Sequence, residues 1–485
     1  MREACWTCRN RTIQCDQSCF PCLKCKKAGL ECRDKKPLRW VQGETPTNRD
    51  ALLSTHLRPK PVRRGSHQLQ LMLQDPRMQN LDPSSRYYID YYSQRICRLY
   101  ILHDSDSNPF RSLLAYALED APLLESITAL AARHLVNTGY PFDQSDRNDV
   151  VVLTSRFTDS TLDALRFKTK AITALRERLA RQHLEPAKTD TMMATILLLI
   201  FLELLESGLD GWEVHLKGAR ALVRLYQSLR GQTYNNCGSG EMEQETSTFI
   251  ARQFSLIETL GASLSQSNPL YEDFGPTSYT LSQGQESIVR SFLGCPEFIL
   301  RSIRFFSSQR QLAAESISHN AAYVQDTIAM LEVTGNFNSL EWASGFQHQQ
   351  PSPSSAYTTD LENLYMLSEA YKTAALLYGR QVLGSDSATA ESKELVLQLL
   401  GLIDALKTQD TIFKCLLWPT FIAGLHSQER DQQWLVHNCL KRIWDLTACL
   451  NVISASNILK DYWEQARLSG IHLNRVGLDR RWLLI

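Results

Sequence analysis

Six cysteines near the beginning of the chain have the residue type and the spacing of metal ligands. They are Cys5, Cys8, Cys15, Cys22, Cys25 and Cys32. Their order is C-x2-C-x6-C, a connecting loop, and C-x2-C-x6-C again, so two short segments repeat one pattern. A C-x2-C turn brings two sulfurs to one metal, and six further residues suit a short helix that returns the chain with a third. Two separate tetrahedral zinc sites would need eight ligands, whereas six suffice if two sulfurs bridge both ions.

The pattern therefore predicts a centre of two zinc ions, in a segment too short to hold a core without metal. A seventh cysteine, Cys19, lies in the loop between the repeats and is most simply a free thiol. As a ligand in place of Cys22 it would shorten the loop and break the repeat, and nothing in the sequence favours a redox-sensing role. The other cysteines are scattered and are interpreted as core residues or free thiols: Cys97, Cys237, Cys295, Cys415, Cys439 and Cys449.

Basic residues are concentrated in the same part of the chain as the clustered cysteines. Residues 1–64 hold 15 Lys and Arg against 6 Asp and Glu, whereas the rest of the chain holds 37 against 46. A formal net charge of +0 thus conceals a basic head and an acidic body. This asymmetry indicates a polyanionic partner, nucleic acid ahead of a membrane surface. The beginning, MREACWTCRN, lacks the apolar run of a secretory signal, so we expect an intracellular protein whose thiols stay reduced.

The segment from Cys5 to Cys32 resembles the fungal Zn2Cys6 binuclear-cluster DNA-binding domain, whose cysteine spacing it matches throughout. The resemblance implies that Cys5 and Cys22 bridge the two ions. One zinc is then assigned to Cys5, Cys8, Cys15 and Cys22, and the other to Cys5, Cys22, Cys25 and Cys32. The resemblance also implies that the partner is double-stranded DNA, with the first short helix in the major groove.

Basic and polar residues around the cysteines are the candidates for DNA contact, because binding needs positive charge on phosphates and side chains that reach base edges. They are Arg9, Asn10, Arg11, Lys24, Lys26, Lys27, Arg33, Lys35 and Lys36. The resembled family commonly has a nearly unbroken basic run between its second and third cysteines, whereas Thr12 and Gln14 stand here in place of expected lysines. Lys and Arg usually read guanine, while Asn and Gln suit adenine. We therefore expect Arg9, Asn10 and Arg11 to contact bases, and the family's typical CGG half-site does not follow.

Residues 41–84 are interpreted as a flexible basic linker between a DNA-binding domain at residues 1–40 and a body at residues 85–485. The linker is rich in Pro, Arg, Gln and Ser. Its stretch RPKPVRR has the composition of a nuclear-import signal, so the expected location is the nucleus. The apolar patch HQLQLMLQDP is stopped by Pro76 and is too short for the heptads of a coiled coil. The protein therefore binds DNA as a monomer or forms a homodimer through its body.

The body is predicted to be a large all-α regulatory domain, because no alternating run requires a sheet. The apolar run from Met192 to Leu202 is shorter than the roughly 20 residues that span a bilayer, so it predicts a buried core helix and no membrane partner. The segment STLDALRFKTKAITALRERLAR predicts an amphipathic helix that begins at a capping pattern of Ser160 and Asp163. Its expected apolar face consists of Leu162, Leu165, Ile172, Leu175 and Leu179. Two earlier helices are expected to be separated at Pro122.

Three patches across roughly residues 86–485 resemble the fungal-specific transcription-factor regulatory domain of the second type. They are SSRYYIDYYSQRICRLYI, DGWEVHLKGARALV and DRRWLLI. Within the second patch, Trp212 and His215 are expected to pack and hydrogen-bond between helices and not to bind a ligand. The resemblance implies coactivators or a small-molecule effector as partners, without locating a pocket. The acidic-aromatic segment NFNSLEW is expected to pack on the body as a loop and not to recruit a partner.

Together these features predict a zinc-dependent, sequence-specific transcription factor that regulates RNA polymerase II transcription, of metabolic or secondary-metabolite genes. The alternative is a zinc-cluster regulator that binds proteins or senses an effector without reading DNA, and it predicts no salt-dependent DNA binding. An enzyme is not expected, because the chain has no G-x-S-x-G, G-x-G-x-x-G, P-loop or H-E-x-x-H motif. Zinc saturated by thiolates also offers no open position for catalysis.

Overall fold

The computed structural model describes residues 4–17, 19–33, 76–143, 155–180, 188–209, 211–230, 244–264, 291–315, 321–345, 357–384, 389–469 and 482–485. Contacts divide the chain into two compact units, Met1–Met72 and Leu73–Ile485. Residues 34–75 lie outside the described ranges. The predicted linker with its import signal therefore stays a prediction, as do the domain bounds at residues 40 and 84.

The small unit contains two short helices, α1 (Trp6–Asn10) and α2 (Leu23–Lys27). Its buried residues are the six cysteines of the repeats, with Ala4 packed against them. The larger apolar side chains Ile13, Phe20, Leu23 and Leu30 are exposed. The described part of this unit thus has a centre of sulfur atoms in place of a hydrocarbon core, which agrees with the expectation that metal is needed for folding.

The large unit is helical throughout its described residues and contains no strand there, which confirms the all-α prediction. Its helices are α3 (Pro83–Tyr91), α4 (Cys97–Leu99), α5 (Pro109–Ala117), α6 (Ala121–Asn137), α7 (Ser155–Leu179), α8 (Thr189–Glu206), α9 (Gly211–Arg230), α10 (Gln244–Leu264), α11 (Glu297–Glu315), α12 (Ala321–Gly335), α13 (Ser339–Ser344), α14 (Tyr357–Val382), α15 (Ala390–Ala405), α16 (Asp410–Phe413), α17 (Leu417–His426), α18 (Arg430–Thr447) and α19 (Leu450–Ser469). A π-helical turn, Tyr92–Ile96, connects α3 to α4.

Aspartate caps followed by proline begin two of the helices. Asp82 accepts a hydrogen bond from the N–H of Ser85 at the start of α3, and Asp120 accepts one from the N–H of Leu123 at the start of α6. Pro122 lies in the first turn of α6, where its missing N–H leaves no helical bond unmade. The predicted separation of two helices therefore lies just before Pro122.

Helix α8 is buried at the centre of the large unit, as its apolar run predicts. Every residue from Met192 to Leu202 is buried, and α6, α9, α10 and α19 pack against the helix. The fully buried ring of Trp212 on α9 lies against the backbone of α10, because a Cβ atom at Gly261 would lie only 2.3 Å from its Cη2. No helix in the described ranges has the length and apolarity that a membrane crossing requires.

Helix α7 packs on the body through a different face from the one that the leucine pattern predicts. Leu175 alone of the predicted face is buried. The packed face is a stripe of mostly small residues around one ring: Ser160, Ala164, Phe167 and Ala171, with Leu175. Small side chains allow α7 to lie close against α6. This close packing stabilises the fold more than burial of four leucine or isoleucine side chains would. The predicted start is also wrong, because Ser160 lies inside a helix that begins at Ser155.

Buried polar contacts join distant parts of the large unit. The side-chain amide of Asn137 donates to the carbonyl oxygens of Leu205 and Ala448, at 2.7 and 2.9 Å. Residues 482–485 return to the body, where the N–H of Leu483 donates to the carbonyl oxygen of Gly208 at 3.1 Å. The DRRWLLI patch thus includes residues that complete the core around the end of α8.

Candidate metal centre and nucleic-acid surface

The two cysteine repeats fold into two matching halves. Cys5 caps α1 and Cys22 caps α2, with nearly equal backbone dihedrals of φ −60°, ψ 149° and φ −63°, ψ 149°. In each half the capping sulfur accepts a hydrogen bond from the backbone N–H three residues later, at 3.4 Å from Cys8 and 3.3 Å from Cys25. A sulfur placed at a helix N-terminus also faces the positive end of the helix dipole, which favours the thiolate.

A left-handed turn after each helix directs the third cysteine of each half back to the centre. The angle φ is 54° at Thr12 and 62° at Gly29. The N–H groups of the residues that follow, Ile13 and Leu30, each donate to the carbonyl oxygen of the second cysteine in their half at 3.1 Å. Glycine is a sequence signal for such a turn, whereas a β-branched threonine seldom adopts positive φ, so the first turn could not be recognised from its residue.

The sulfur atoms lie at the separations that tetrahedral zinc requires. Two sulfurs bound to one zinc at about 2.3 Å are about 3.8 Å apart. The Sγ–Sγ distances are 3.8 Å for Cys5–Cys22, 3.9 Å for Cys5–Cys15, 3.6 Å for Cys8–Cys22 and 3.8 Å for Cys5–Cys25. These residues therefore fit zinc without rearrangement of the backbone.

Two overlapping groups of four sulfurs account for all six cysteines. The members of each group lie within 4.8 Å of one another, and the groups are Cys5, Cys8, Cys15 and Cys22, and Cys5, Cys22, Cys25 and Cys32. Cys5 and Cys22 are common to both. The grouping is the one that the resemblance implies, and within the described ranges these are the only metal-ligand clusters. The Zn2Cys6 domain binds two zinc ions, and the centre has the donor set for both.

The thiols cannot all be anionic in the absence of metal. The backbone N–H of Cys25 holds the pKa of the Cys22 thiol below its usual value. Burial, together with hydrogen bonds among the neighbouring sulfurs, raises the pKa of Cys8 to about 12. Zinc binding must therefore displace protons from the centre, and the positive charge of the ions replaces them.

Two side chains brace the halves against each other. The ammonium group of Lys24 donates to the carbonyl oxygen of Gln14 at 2.7 Å, and the carboxylate of Asp16 accepts from the N–H of Leu23 at 2.9 Å. Neither contact could be predicted from the sequence, because both join residues whose separation depends on the fold of the cluster. Lys24 was predicted only as a DNA-contacting residue.

The predicted base-contacting residues lie together on an exposed surface. Arg9, Asn10 and Arg11 are exposed on α1 and at its C-terminal end, and Lys26 and Lys27 are exposed on α2. The two helices contact each other within the unit. Cationic side chains of both halves therefore belong to one small module, about the size that fits a major groove.

The other predicted DNA-contacting residues are placed differently. Arg33 is exposed but forms an ion pair with Glu31 at 2.5 Å. Lys35 and Lys36 lie outside the described residues. Thr12, which stands where the resembled family has a lysine, is exposed and donates its hydroxyl to the carbonyl oxygen of Arg11 at 2.7 Å.

Cys19 lies outside both sulfur groups. It is exposed, and its thiol donates to the carbonyl oxygen of Pro21 at 3.2 Å. This position agrees with the expectation that Cys19 does not replace Cys22 as a ligand. The described cysteines of the body are buried, which agrees with their interpretation as core residues: Cys97, Cys295, Cys415, Cys439 and Cys449. Cys237 lies outside the described residues.

The resembled landmarks of the body have structural roles. Trp212 is fully buried, and Nε2 of His215 lies 3.5 Å from a carboxylate oxygen of Glu203. The NFNSLEW segment does pack on the body, since the ring of Phe337 stacks on that of Phe298 at 5.4 Å, but part of it forms α13 and not a loop.

One small cavity lies in the described part of the body. Its volume is about 20 Å³, enough for a water molecule and far below that of a metabolite. Its lining includes Tyr100, Lys414, Cys415 and Cys449. The ammonium group of Lys414 is held there by the carbonyl oxygen of Ile101 at 2.7 Å. This cavity does not supply the effector pocket, whose location stays unassigned.

Comparison with known proteins matches both units to family models. Residues 3–41 match the fungal Zn(2)-Cys(6) binuclear cluster domain, and residues 86–483 match the fungal specific transcription factor domain. The chain is similar to the acriflavine sensitivity control protein acr-2 of Neurospora crassa, with 23% identity over 402 residues. That alignment covers 79% of this chain and 61% of the relative, so the chain spans less than two thirds of the relative's length. Comparison with solved structures finds no match.

Proposed function

Because the chain belongs to the fungal family whose members carry the fungal-specific transcription factor domain, here preceded by a Zn2Cys6 cluster, we propose that it is a zinc-dependent, sequence-specific DNA-binding transcription factor. The observation that carries this proposal is the exposed basic surface of α1 and α2, held in shape by a centre that fits two zinc ions. The protein acts in the nucleus on RNA polymerase II transcription and is not an enzyme. Family membership supports this assignment, and four-coordinate thiolate zinc leaves no position for a substrate.

The zinc ligands are Cys5, Cys8, Cys15, Cys22, Cys25 and Cys32. Cys5 and Cys22 would be shared by the two ions, because they alone belong to both sulfur groups. When bound, the two ions supply charge and rigid geometry. The chain itself positions the sulfurs through its helix caps, its left-handed turns and the Lys24–Gln14 brace.

DNA is read by α1 and held by α2. Arg9, Asn10 and Arg11 contact base edges, since they are exposed on one short helix and at its C-terminal end and carry the donors that match guanine and adenine edges. Lys26 and Lys27 bind phosphates, where a flexible point charge suffices.

Four further basic residues complete the proposed DNA surface and make smaller contributions to binding. They are Lys24, Arg33, Lys35 and Lys36. Lys24 already donates to the carbonyl oxygen of Gln14, and Arg33 is paired with Glu31. We therefore expect both to contribute less to DNA binding than Lys26 and Lys27.

The body regulates the output of the DNA-binding unit. It pairs with a second copy, and it recruits coactivators or binds a small-molecule effector. The absence of coiled-coil heptads after the cluster supports pairing through the body, and the acidic charge of the body disfavours a second DNA site there.

A random-oligonucleotide selection with the full-length protein, with and without a zinc chelator, tests the proposal. We expect enrichment of a defined motif that disappears with chelator and weakens steeply as salt rises. Arg11→Ala should cost about 1–3 kcal/mol on the selected motif and little on unrelated DNA, because it loses a base contact. Lys27→Ala should weaken binding to all sequences alike and is the matched control.

Selection without any motif would overturn the proposal and favour a cluster that binds protein. Equal losses for Arg11→Ala on every sequence would make Arg11 a phosphate contact. In either case the zinc assignment is tested independently, by measuring the metal content of the protein.

A further inference from the structure

The outward face of α7 carries an apolar stripe that the body does not cover. Leu162 is 63% exposed, Leu165 54%, Ile172 39% and Leu179 42%. Single apolar residues on a surface are ordinary, but these four share one helix face. Leu165, Ile172 and Leu179 recur at every seventh residue, and Leu162 lies three before Leu165. They occupy a and d positions of a heptad pattern, which is the pattern of a helix that packs against another helix.

The helix is long enough for such packing. It has 25 residues, a length of about 37 Å and more than three heptads. The remaining a positions are Ser155, Thr169 and Arg176, and the remaining d position is Thr158. The hydroxyl of Thr169 donates to the carbonyl oxygen of Leu165 at 2.8 Å, so its methyl group can enter an apolar contact without leaving a polar group unsatisfied.

Charges at the two ends of α7 select the partner and the direction. Asp159 lies near its beginning and Arg176 near its end, and both are exposed. Neither takes part in an ion pair within the described residues. A parallel pair of α7 helices would place Asp159 beside Asp159 and Arg176 beside Arg176, which is repulsive at both ends. An antiparallel pair places Asp159 opposite Arg176 twice.

We propose that α7 pairs antiparallel with α7 of a second copy of this chain. The register that places Leu162 opposite Ile172 and Leu165 opposite Thr169 brings Asp159 to within one residue of the position opposite Arg176, a shift of about 1.5 Å along the axis, so one alignment serves both the charges and the apolar stripe. This inference rests on the pairing through the body proposed above and assigns it to one helix. One helix pair buries a small area, so the dimer is weak in free solution and is reinforced when both copies bind neighbouring DNA sites.

Sedimentation of the full-length protein over a range of concentrations tests the pairing. We expect a monomer–dimer equilibrium that Leu165→Asp abolishes. Leu397→Asp, which alters a similarly exposed leucine on α15 (60%), is the matched control and should leave the equilibrium unchanged. Circular dichroism of each variant verifies that the body stays folded, which is expected because both positions face solvent.

A charge exchange tests the direction. Asp159→Arg alone and Arg176→Glu alone should each raise the dimer dissociation constant by about tenfold, because two attractions become two repulsions. The double variant should return it close to the original value. In a parallel pair neither single change would weaken the dimer, because like charges would still face like charges. A monomer at every concentration would overturn pairing through the body while DNA binding persists. A dimer that all these variants leave unchanged would overturn the assignment to α7, and failure of the double variant to recover would overturn the antiparallel direction.

Discussion

Removing single cysteines should change the zinc content of the protein in steps that the sulfur geometry fixes. Cys22 belongs to both groups of four sulfurs, so Cys22→Ala leaves each zinc with three protein ligands. Cys15 belongs to one group, so Cys15→Ala leaves the group of Cys5, Cys22, Cys25 and Cys32 complete. Cys19 belongs to neither. We therefore expect a zinc content of two per chain in the native protein and in Cys19→Ala, about one in Cys15→Ala, and about none in Cys22→Ala.

The assay is metal analysis of the full-length protein by mass spectrometry after dialysis against a mild chelator. The Cys22 variant has a further penalty, because the sulfur also caps α2 through the N–H of Cys25, and a lost cap costs about 1 kcal/mol. Cys22→Ser keeps a capping oxygen and separates the two effects. It should still lose both ions.

DNA binding supplies an independent readout of the same variants. Cys15→Ala frees the end of the half that carries α1, so specific binding should be lost although one ion remains. The reasoning is refuted if Cys22→Ala retains one tightly held zinc, since that sulfur would then not be shared. It is equally refuted if Cys19→Ala loses an ion.

Three further predictions concern the body, and each is measured by urea denaturation of the full-length protein. Phe167→Ala should cost about 3–5 kcal/mol, because the ring is buried on the true packing face of α7, whereas Leu397→Ala at an exposed position should cost less than about 1 kcal/mol. Gly261→Ala should cost about 1–3 kcal/mol through its clash with the indole of α9, while Gly218→Ala, where a Cβ meets nothing within 4 Å, should be neutral or stabilising, and equal effects would contradict the close approach. Burial lowers the pKa of His426 to about 4, so the unfolded chain takes up its proton first as the pH falls, and stability should drop by about 2 kcal/mol between pH 7 and pH 5 from this residue. His426→Met should remove that share of the acid sensitivity, and an unchanged pH profile would contradict the assignment.

The metal centre is the part of the molecule that the sequence predicts best. Its ligands are adjacent in the chain, and tetrahedral geometry allows few arrangements of six sulfurs. Spacing and resemblance together therefore predicted the two groups of four. The turn at Thr12 and the brace from Lys24 to Gln14 were not predictable, because they depend on how the two halves face each other.

The packing face of α7 shows the limit of periodicity. The helix has two stripes at helical spacing, one of leucines and one of small residues with Phe167. Hydrophobicity favours the leucines, but the fit against α6 favours the small residues. Periodicity predicts that a helix has a packing face and does not identify which of two stripes is buried, since that depends on the shape of the neighbouring helix.

The contact between Asn137 and Ala448 has a consequence for synthesis of the protein in the cell. The amide of Asn137 is fully buried, and one of its acceptors lies 311 residues further along the chain. At the usual pace of a ribosome, about 15–60 s pass between the emergence of the two residues. During that time α6 and the apolar α8 lack the C-terminal residues that pack against them, and their apolar surfaces are exposed to other nascent chains. Slow translation of the C-terminal half of the body should therefore lower the yield of active protein more than slow translation of the zinc cluster.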